Sequence, residues 1–482
     1  MVGEIVNNIR AVLILILGLL IGLAFGVLGP VVGLGLVAVI TAYIMIVSSP
    51  DVAICVLTGY AVIDWALRLV AEVLAGAWDE LYLVVLILIW IYKWISARNG
   101  ETIKVTLMDL PIIIFIGVML FALIINSTDY SISLEGFRAI VQYILWYFVV
   151  LQLVNGEKSA RKVTMVFVIV TGIMALHGVF QYIVGVEMPA GWVDQNEAGV
   201  RTRVFSILTS PNVFGSLLTL ATPMSISMCL SSKKKGGKFI FGFLALMMAA
   251  SLVFTFSRGA WIGFVLAIGI YILLKDKRLI IPGIVLAVLV VALVPSVGNR
   301  IGYMLSPEYI ESSLRGGRLV RWLTGLRILE FYPWLGVGLG QFGGAVAMNH
   351  QTSFLVDLSV VKTFYMDNYY LKTAVESGIV GFSAFVMLMY SVIINSFRTL
   401  RSPLTKEGKE LATGIMAGLC GVITHNWVEN VFETPLMASV FWIFVCIKSG
   451  GMLNYMIGIA ISLIVGFVLT MGLSKMKRFS KA

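Results

Sequence analysis

Long apolar runs follow one another along almost the whole chain and are separated by short polar segments. Most of these runs approach the ~20 residues that an α-helix needs to cross a bilayer. Runs such as 239–255 and 280–294 are apolar on every face, whereas the strands of a membrane barrel alternate polar and apolar residues. The pattern therefore predicts an all-α polytopic membrane protein with about 14–15 transmembrane helices. The runs span 11–28, 31–48, 52–75, 80–97, 110–126, 134–154, 162–184, 205–230, 239–256, 259–274, 279–297, 367–397, 410–431, 433–448 and 452–473.

The composition excludes a soluble globular protein and several kinds of site. Hydrophobic residues make up 59% of the chain and charged residues 12%, against about 45–50% and about 25% in soluble domains. The four cysteines lie in apolar runs without paired spacing, and only three histidines accompany them, so neither a disulfide framework nor a metal site is expected. The first apolar run lacks a small-residue cleavage site, which predicts a retained helix rather than a signal peptide.

The net charge of +10 lies mostly in short loops, where it sets topology and does not indicate a nucleic-acid partner. Placing the lysines of segment 233–238 in the cytoplasm predicts that the N-terminus is cytoplasmic. The same alternation predicts that the other basic loops are cytoplasmic too. Fifteen crossings would place the basic C-terminal end outside, against the charge rule, so its side stays open. These basic loops are 98–104, 158–162, 275–278 and 398–409.

The spacing of the runs divides the chain into four parts. Residues 1–200 form an N-terminal transmembrane bundle, 201–297 form helices with outward-facing arginines, 298–366 form an extracytoplasmic loop, and 367–482 form the C-terminal transmembrane helices. Within the loop, the helical spacing of apolar residues over 310–331 predicts an amphipathic helix at the membrane surface. A flexible, glycine-rich segment is expected after it. Its glycines are Gly336, Gly338, Gly340, Gly343 and Gly344.

The predicted outward segments contain many arginines and only one lysine, Lys362, whereas the inward loops mix both residues. A planar guanidinium binds phosphate through two parallel hydrogen bonds, which a lysine ammonium cannot match. The outer face is therefore expected to bind a phosphorylated or other anionic ligand. The alternative is that these arginines contact lipid headgroups or pair with nearby carboxylates. The arginines are Arg201, Arg203, Arg258, Arg300, Arg315, Arg318, Arg321 and Arg327.

Two short motifs lie where predicted helices begin. In the first, Arg203 precedes Pro211-Asn212, and proline interrupts regular hydrogen bonding, which leaves backbone donors for a phosphate. Capping of the helix by Ser210 is the alternative. In the second, Arg258 lies at the tip of a hairpin between two apolar runs, where a charge is a functional candidate by default. Snorkelling to the headgroups is its alternative.

Two further motifs flank the long loop. Gly317-Arg318 is followed by Arg321-Trp322, and no strand precedes the glycines that come later, which excludes a dinucleotide fingerprint. Asp367-Asn368 opens a long helix, where the carboxylate of Asp367 is either a general base or an N-cap. Weaker candidates are Arg201, Asn212, His350, Glu376 and His425.

In this order, the motifs resemble those of the O-antigen ligase and polymerase family. The resemblance covers about residues 200–400, and the first 190 residues match only in being transmembrane. It implies a C-type glycosyltransferase fold and an outward-facing site in the bacterial cytoplasmic membrane. It also implies an undecaprenyl-diphosphate-linked glycan donor and no metal or other cofactor. The matching motifs are Arg203 with Ser-Pro-Asn212, Ser257-Arg258-Gly259, Gly317-Arg318 with Trp322, Pro333 with Gly336-Val-Gly338 and Phe342, and Asn368 with Leu371, Glu376, Gly378 and Gly381.

The resemblance also implies roles for individual residues. Arg203, Arg258 and Arg318, with Arg321 beside them, are expected to bind the diphosphate. Asp367 and Asn368 are the catalytic candidates and stand where ligases of the family carry His-Asn. This departure argues against the histidine-dependent ligase mechanism and leaves two alternatives open, a polymerase member of the family or a carboxylate that acts in place of the histidine.

The expected activity is metal-independent, inverting glycosyl transfer to an acceptor hydroxyl. Polymerisation of surface polysaccharide repeats is preferred slightly over ligation of a finished glycan to a lipid or protein acceptor. A transporter or flippase of the lipid-linked glycan is the alternative from another class, because Asp64, Arg68 and Glu72 lie within one early apolar run. The candidate residues cluster at one face, which favours an enzyme.

Overall fold

The computed structural model describes residues 49–446 except 71, 97–102, 188–201, 294 and 305, and this part of the chain is mostly helical. Three predicted runs, 11–28, 31–48 and 452–473, lie outside the described residues, as does Arg201. The helices up to the long loop are α1 Pro50–Thr58, α2 Tyr60–Val70, α3 Glu72–Ala75, α4 Trp78–Ser96, α5 Asp109–Ile125, α6 Tyr130–Val141, α7 Leu145–Leu153, α8 Gly156–Val184, α9 Pro211–Ser231, α10 Lys235–Phe254, α11 Arg258–Lys275 and α12 Ile280–Leu293.

The remaining elements form the long loop and the last described helices. Two short 3-10 turns, Gln142–Ile144 and Lys277–Leu279, join neighbouring helices earlier in the chain. The elements are α13 Pro295–Met304, α14 Pro307–Arg315, α15 Arg318–Phe331, α16 Ala345–His350, β1 Ser353–Val356, β2 Ser359–Lys362, α17 Tyr369–Arg401, α18 Lys406–His425 and α19 Pro435–Val445.

The all-α polytopic architecture is confirmed. Within the described residues, six helices are long and apolar enough to cross a membrane, or up to eight if each of two bent helix pairs counts as one span. Each predicted run in this part of the chain contains one helix or a series of helices separated by short breaks. The helix of the run at 205–230 begins only at Pro211, and that of the run at 410–431 ends at His425. The total of 14–15 spans stays a prediction, because both ends of the chain lie outside the described residues.

Helix α9 lies at the centre of the bundle and packs against α10, α11 and α18. Its side chains are buried along most of its length, and α18 approaches it closely because small residues face it. A Cβ atom at Gly418 of α18 would collide with the backbone of Leu220 in α9. Small residues at a helix interface permit this backbone approach in membranes.

Helix α17 is broken at Gly378, where φ is +62° and ψ is −167°. The break leaves carbonyl and N–H groups of α17 without partners inside the helix, and residues of the segment 333–338 form hydrogen bonds with them. The N–H groups of Val337 and Gly338 donate to the carbonyls of residues 375 and 376 at 2.9 and 3.0 Å. In return, Ile379 and Val380 donate to the carbonyls of residues 333 and 334 at 2.9 and 3.3 Å. The break therefore joins the long loop to the bundle.

Two expectations for the loop are wrong. The amphipathic stretch 310–331 is two helices, α14 and α15, because Gly316-Gly317 separates them and glycine is a poor helix former. The glycine-rich segment is not flexible. Residues 336–344 are buried and hydrogen-bonded to α17, so the glycines serve close packing. The strands β1 and β2 also form an antiparallel hairpin that the hydropathy pattern does not predict.

A buried ion cluster of Lys372, Glu376 and Glu433 also holds the long loop against the helix bundle. Nζ of Lys372 lies 2.7 Å from Oε2 of Glu376 and 3.8 Å from Oε1 of Glu433. Glu376 accepts a hydrogen bond from the backbone of Phe342 at 3.1 Å, and Glu433 accepts one from Ala345 at 3.0 Å. These bonds connect α17, the glycine-rich segment and the segment between α18 and α19.

Candidate functional site

A cavity of about 970 Å³ lies at the end of the bundle where α9, α11 and α17 begin and α18 ends. The long loop covers this end through α13, α14 and α15. Six of the eight arginines named from the sequence line this cavity together with several carboxylates and tyrosines. Arg327 does not line it, and Arg201 lies outside the described residues. Its walls are Arg203, Asn212, Phe256, Ser257, Arg258, Arg300, Tyr303, Glu308, Tyr309, Glu311, Ser312, Ser313, Arg315, Gly316, Gly317, Arg318, Arg321, Tyr365, Asp367 and Glu429.

Arg203 is buried and fixed by two hydrogen bonds. Its Nε donates to the carbonyl of Thr255 and its Nη2 donates to Oδ1 of Asn212, both at 3.0 Å. Asn212 lies in the first turn of α9, which Pro211 begins and the side chain of Ser210 caps, so the capping interpretation of Ser210 is correct. The cap and the arginine are therefore compatible parts of one local structure.

The segment that carries Arg203 adopts an uncommon backbone conformation. Ser206 has a φ of 54° and Thr209 a φ of 58°, both in the left-handed region that disfavours residues with a Cβ atom. Gln181 of α8 holds the segment in place. Its Oε1 accepts from the N–H of Ser206 at 2.8 Å, and its Nε2 donates to the carbonyl of Ser206 at 2.9 Å. His177 contacts the hydroxyl of Ser206 at 3.2 Å, which gives this histidine a structural role.

Arg318 is shared by two carboxylates. Its Nε lies 2.5 Å from Oδ2 of Asp367, and its Nη2 lies 3.7 Å from Oε2 of Glu429. Trp322, one turn along α15, donates to Oδ1 of Asp367 at 3.2 Å. Burial lowers the pKa of Arg318, but the two carboxylates more than offset this effect, so its pKa lies above the ordinary value. The guanidinium stays charged in the cavity.

Glu429 lies in the segment 426–434 between α18 and α19. Its Oε2 accepts a hydrogen bond from Nδ2 of Asn212 at 2.5 Å. Burial raises the pKa of Glu429 above its ordinary value, Arg318 opposes this rise and Asp367 adds to it. The polar contacts thus run continuously from Arg203 through Asn212, Glu429 and Arg318 to Asp367.

Arg258 and Arg321, the other two arginines expected to bind the diphosphate, also border the cavity. Arg258 is the first residue of α11, which Ser257 caps, and its Cζ lies 4.9 Å from the centre of the Tyr309 ring. This distance is in the range of a cation–π interaction. Arg321 donates to the carbonyl of Tyr365 at 3.3 Å. Both side chains therefore have defined positions on the cavity wall.

Four predicted site residues do not line the cavity. Asn368 caps α17 by accepting from the N–H of Leu371 at 2.9 Å, so the capping role expected as the alternative at position 367 belongs to its neighbour. Glu376 is buried in the ion cluster with Lys372. The other two are histidines, His350 and His425.

The two histidines have different surroundings. His350 lies 2.9 Å from Oε2 of Glu135 at the surface, away from the cavity. His425 is fully buried behind the cavity wall and packs against Gly259 of α11. Within the part of the chain that the structure describes, neither ring nitrogen of His425 has a hydrogen-bond partner.

Glu429, Tyr303 and Tyr309 line the cavity although no sequence motif pointed to them, and Arg300, one of the arginines of the outer segments, lines it too. A signal for Glu429 exists. It and Glu433 are the only acidic residues between positions 411 and 482, in a strongly apolar part of the chain. Charges in such segments are functional candidates by default.

The wall of the cavity carries an excess of positively charged side chains. Among the described residues, six guanidinium groups border it, and they outnumber the four carboxylates. Among residues 49–446 as described, no group of three or more His, Cys, Asp and Glu side chains is arranged as a metal site. Guanidinium groups bind the oxygens of phosphate or carboxylate groups through two parallel hydrogen bonds.

Comparison with known proteins gives one family match. Residues 243–386 match the family model described as O-antigen ligase. The matched part includes Arg258, Arg318, Arg321 and Asp367, whereas Arg203 and Glu429 lie outside it. The match confirms the resemblance to the O-antigen ligase and polymerase family, over a shorter part of the chain than expected. No curated protein matches the chain.

Proposed function

From the O-antigen ligase domain at residues 243–386, which indicates a membrane glycosyltransferase of the ligase and polymerase type, we propose a specific reaction. The protein transfers an oligosaccharide from a lipid diphosphate carrier to an acceptor hydroxyl. The carrier is undecaprenyl diphosphate, as in the family that the chain resembles. The observation that supports this proposal most is that Arg203, Arg258 and Arg318 border one cavity although each comes from a different part of the sequence.

The arginines bind the diphosphate of the donor. Arg318 and Arg203 lie on either side of Glu429 and Asn212, so two guanidiniums face the same space. Arg258 of α11 and Arg321 of α15 line the same cavity and add two further guanidinium groups to the diphosphate site. As the glycosidic bond breaks, negative charge grows on the leaving diphosphate, and prepositioned cations stabilise that charge in the transition state.

The transfer is a direct displacement. The acceptor oxygen forms a bond to the anomeric carbon, and the bond from that carbon to the phosphate oxygen breaks with its electron pair going to the diphosphate. The configuration at the anomeric carbon inverts in one such step. A carboxylate of the cavity accepts the hydroxyl proton. Asp367, the base expected from the sequence, lines the cavity, and so does Glu429.

The acceptor is another lipid-linked repeat, so the reaction is polymerisation. This choice depends on Asp367 standing where ligases of the family carry histidine. Ligation to a separate lipid or protein is the competing reaction, and transport of the same glycan is the competing class.

The protein lies in the bacterial cytoplasmic membrane with the cavity facing outward. Basic residues that pair with acidic ones lie at the opposite end of the bundle from the cavity, as for Lys233 with Glu407 and Lys162 with Asp51. Cytoplasmic loops carry an excess of such residues.

A reconstituted assay tests the proposal. The full-length protein is purified into proteoliposomes and given lipid-linked repeats extracted from membranes of cells that lack the protein. Longer glycans on the lipid support polymerisation, whereas glycan on another acceptor replaces it with ligation. Movement of the glycan across the vesicle without a new bond, or no change at all, overturns the proposed enzyme.

A further inference from the structure

Two carboxylates compete for the role of base in the cavity, and their contacts differ. The choice between them rests on the transfer reaction proposed above. Both oxygens of Asp367 are occupied, one by the 2.5 Å ion pair with Arg318 and the other by the 3.2 Å hydrogen bond from Trp322. An acceptor hydroxyl that approaches Asp367 would share the carboxylate oxygens with these two partners.

Glu429 has weaker contact with the same guanidinium, at 3.7 Å, and a neutral amide as its closest partner. The charged and titratable groups that face it are Arg318 and Asp367 around α15 and α17, Arg203 before α9, and Tyr365. Burial raises the pKa of Glu429, with Arg318 opposing and Asp367 adding to the rise. A raised pKa makes a carboxylate a stronger proton acceptor near neutral pH.

The segment that carries Glu429 is held rigidly from several sides. Oδ1 of Asn426 accepts from the N–H groups of Val431 and Phe432 at 3.2 and 3.1 Å. The N–H of Tyr369, at the start of α17, contacts the carbonyls of residues 426 and 429. Such support fixes the backbone at Glu429 relative to Asp367 and α17, which is what a catalytic carboxylate requires.

We propose that Glu429 is the catalytic base and that Asp367 is a positioning residue for Arg318. The acceptor oxygen attacks the anomeric carbon while its proton moves to the carboxylate of Glu429. The diphosphate leaves with the electron pair and is stabilised by Arg318, which the ion pair with Asp367 holds in position. Trp322 in turn donates a hydrogen bond to Asp367. Glu429 returns the proton to water after the product leaves.

The test compares E429Q, E429D and D367N with the wild type, using full-length protein in proteoliposomes. The matched control is E407Q, which changes an exposed glutamate at the opposite end of α18. Turnover of lipid-linked repeats is measured from pH 5 to 9, and binding of farnesyl diphosphate is measured separately as a check on the folded site. General-base catalysis contributes about 10²–10⁴-fold.

We expect E429Q to lose about 10²–10⁴-fold in kcat, to bind farnesyl diphosphate, and to lose the decline of kcat at acidic pH. E429D keeps that decline with a reduced rate. D367N also keeps it, displaced to lower pH because one negative charge facing Glu429 is gone. E407Q behaves like the wild type.

The opposite pattern overturns the proposal. If D367N abolishes the acidic decline while E429Q retains it, Asp367 is the base and Glu429 is not. If E429Q keeps a kcat near that of the wild type, Glu429 takes no proton in the reaction. If the wild type transfers no glycan, the proposed function fails and the assignment of the base fails with it.

Discussion

Nδ2 of Asn212 lies 2.5 Å from Oε2 of Glu429, although 217 positions separate the two residues in the sequence. The same amide accepts a hydrogen bond from Arg203 through its oxygen at 3.0 Å. One asparagine therefore connects a cation and a carboxylate that would otherwise be placed independently. It also ties the first turn of α9 to the segment between α18 and α19.

Replacing Asn212 by alanine removes both contacts of its amide. Buried partners that lose a hydrogen bond cost about 1–3 kcal/mol, so we expect lower thermal stability and weaker donor binding. The measurement is the melting temperature in detergent together with the affinity for farnesyl diphosphate. Asn349→Ala, at an exposed position on α16, is the control and leaves both unchanged. Equal behaviour of the two variants would show that the bridge contributes nothing.

Arg318→Ala removes the guanidinium that faces both carboxylates. Removing one group that stabilises transition-state charge costs about 10²–10³-fold in kcat, and we expect a loss of this size in glycan transfer. Arg327, nine positions further along α15, is exposed and pairs with Asp357 at 3.1 Å. Arg327→Ala therefore retains the wild-type rate. A comparable loss in both variants would mean that α15 is merely sensitive to substitution.

The carboxyl group of Glu429 makes the free energy of unfolding depend on pH in a defined direction. Because its pKa is raised on folding, the folded protein holds this proton more tightly than the unfolded chain does. The stability that the protonated carboxyl contributes is lost as pH rises from the ordinary glutamate value through the raised pKa. E429Q cannot ionise, so its melting temperature should exceed that of the wild type by a margin that grows across this window and is constant above it. Tryptophan fluorescence in detergent measures both curves, and a margin that grows toward acidic pH contradicts the prediction.

Lys372→Met leaves the buried carboxylates of Glu376 and Glu433 without their cation. Breaking a buried ion pair by removing one partner costs about 3–5 kcal/mol, so we expect the variant to be strongly destabilised. The comparison is Lys362→Met on the exposed hairpin strand β2, which should be close to neutral. The melting temperatures of the two variants decide the matter. A stable Lys372→Met protein would show that the cluster does not hold the loop.

Gly378→Ala places a Cβ atom against the carbonyl of Trp334 at a position with a φ of +62°. Both effects oppose the substitution, and we expect a loss of more than about 1 kcal/mol together with release of the segment 333–338. Limited proteolysis of that segment reports the release. Gly117→Ala in α5 is the control, because nothing lies within 4 Å of its added Cβ. If the Gly378→Ala variant resists proteolysis, the break at Gly378 is not what holds the segment 333–338 against α17.

The sequence was sufficient for the helical architecture because hydropathy alone decides which segments enter a bilayer. It did not predict the break at Gly378, since that break depends on the segment 333–338 accepting the unpaired backbone groups. The expectation that the glycine-rich segment is flexible was wrong because this segment is ordered by its contacts with α17. Such tertiary contacts are not visible in the local sequence pattern.

The site was partly predictable. The scarcity of lysine beside so many arginines pointed to the residues that share the cavity, including Arg203, Arg258 and Arg318. Glu429 was not predicted as a site residue because its role depends on its contacts with Asn212 and Arg318. The packing of α9 against α18 creates these contacts, and the sequence alone does not show it. Asn368 and Glu376 were selected by their motif, but their contacts are a helix cap and an ion pair.

A cryo-electron microscopy map of the full-length protein with farnesyl diphosphate would show directly whether the arginine cavity binds the diphosphate of the donor. We expect density for the diphosphate between the guanidiniums of Arg203, Arg258 and Arg318, with Glu429 beside it. Density elsewhere on the protein, with the arginine cavity occupied only by solvent at saturating ligand, would contradict the assignment of this cavity as the donor site.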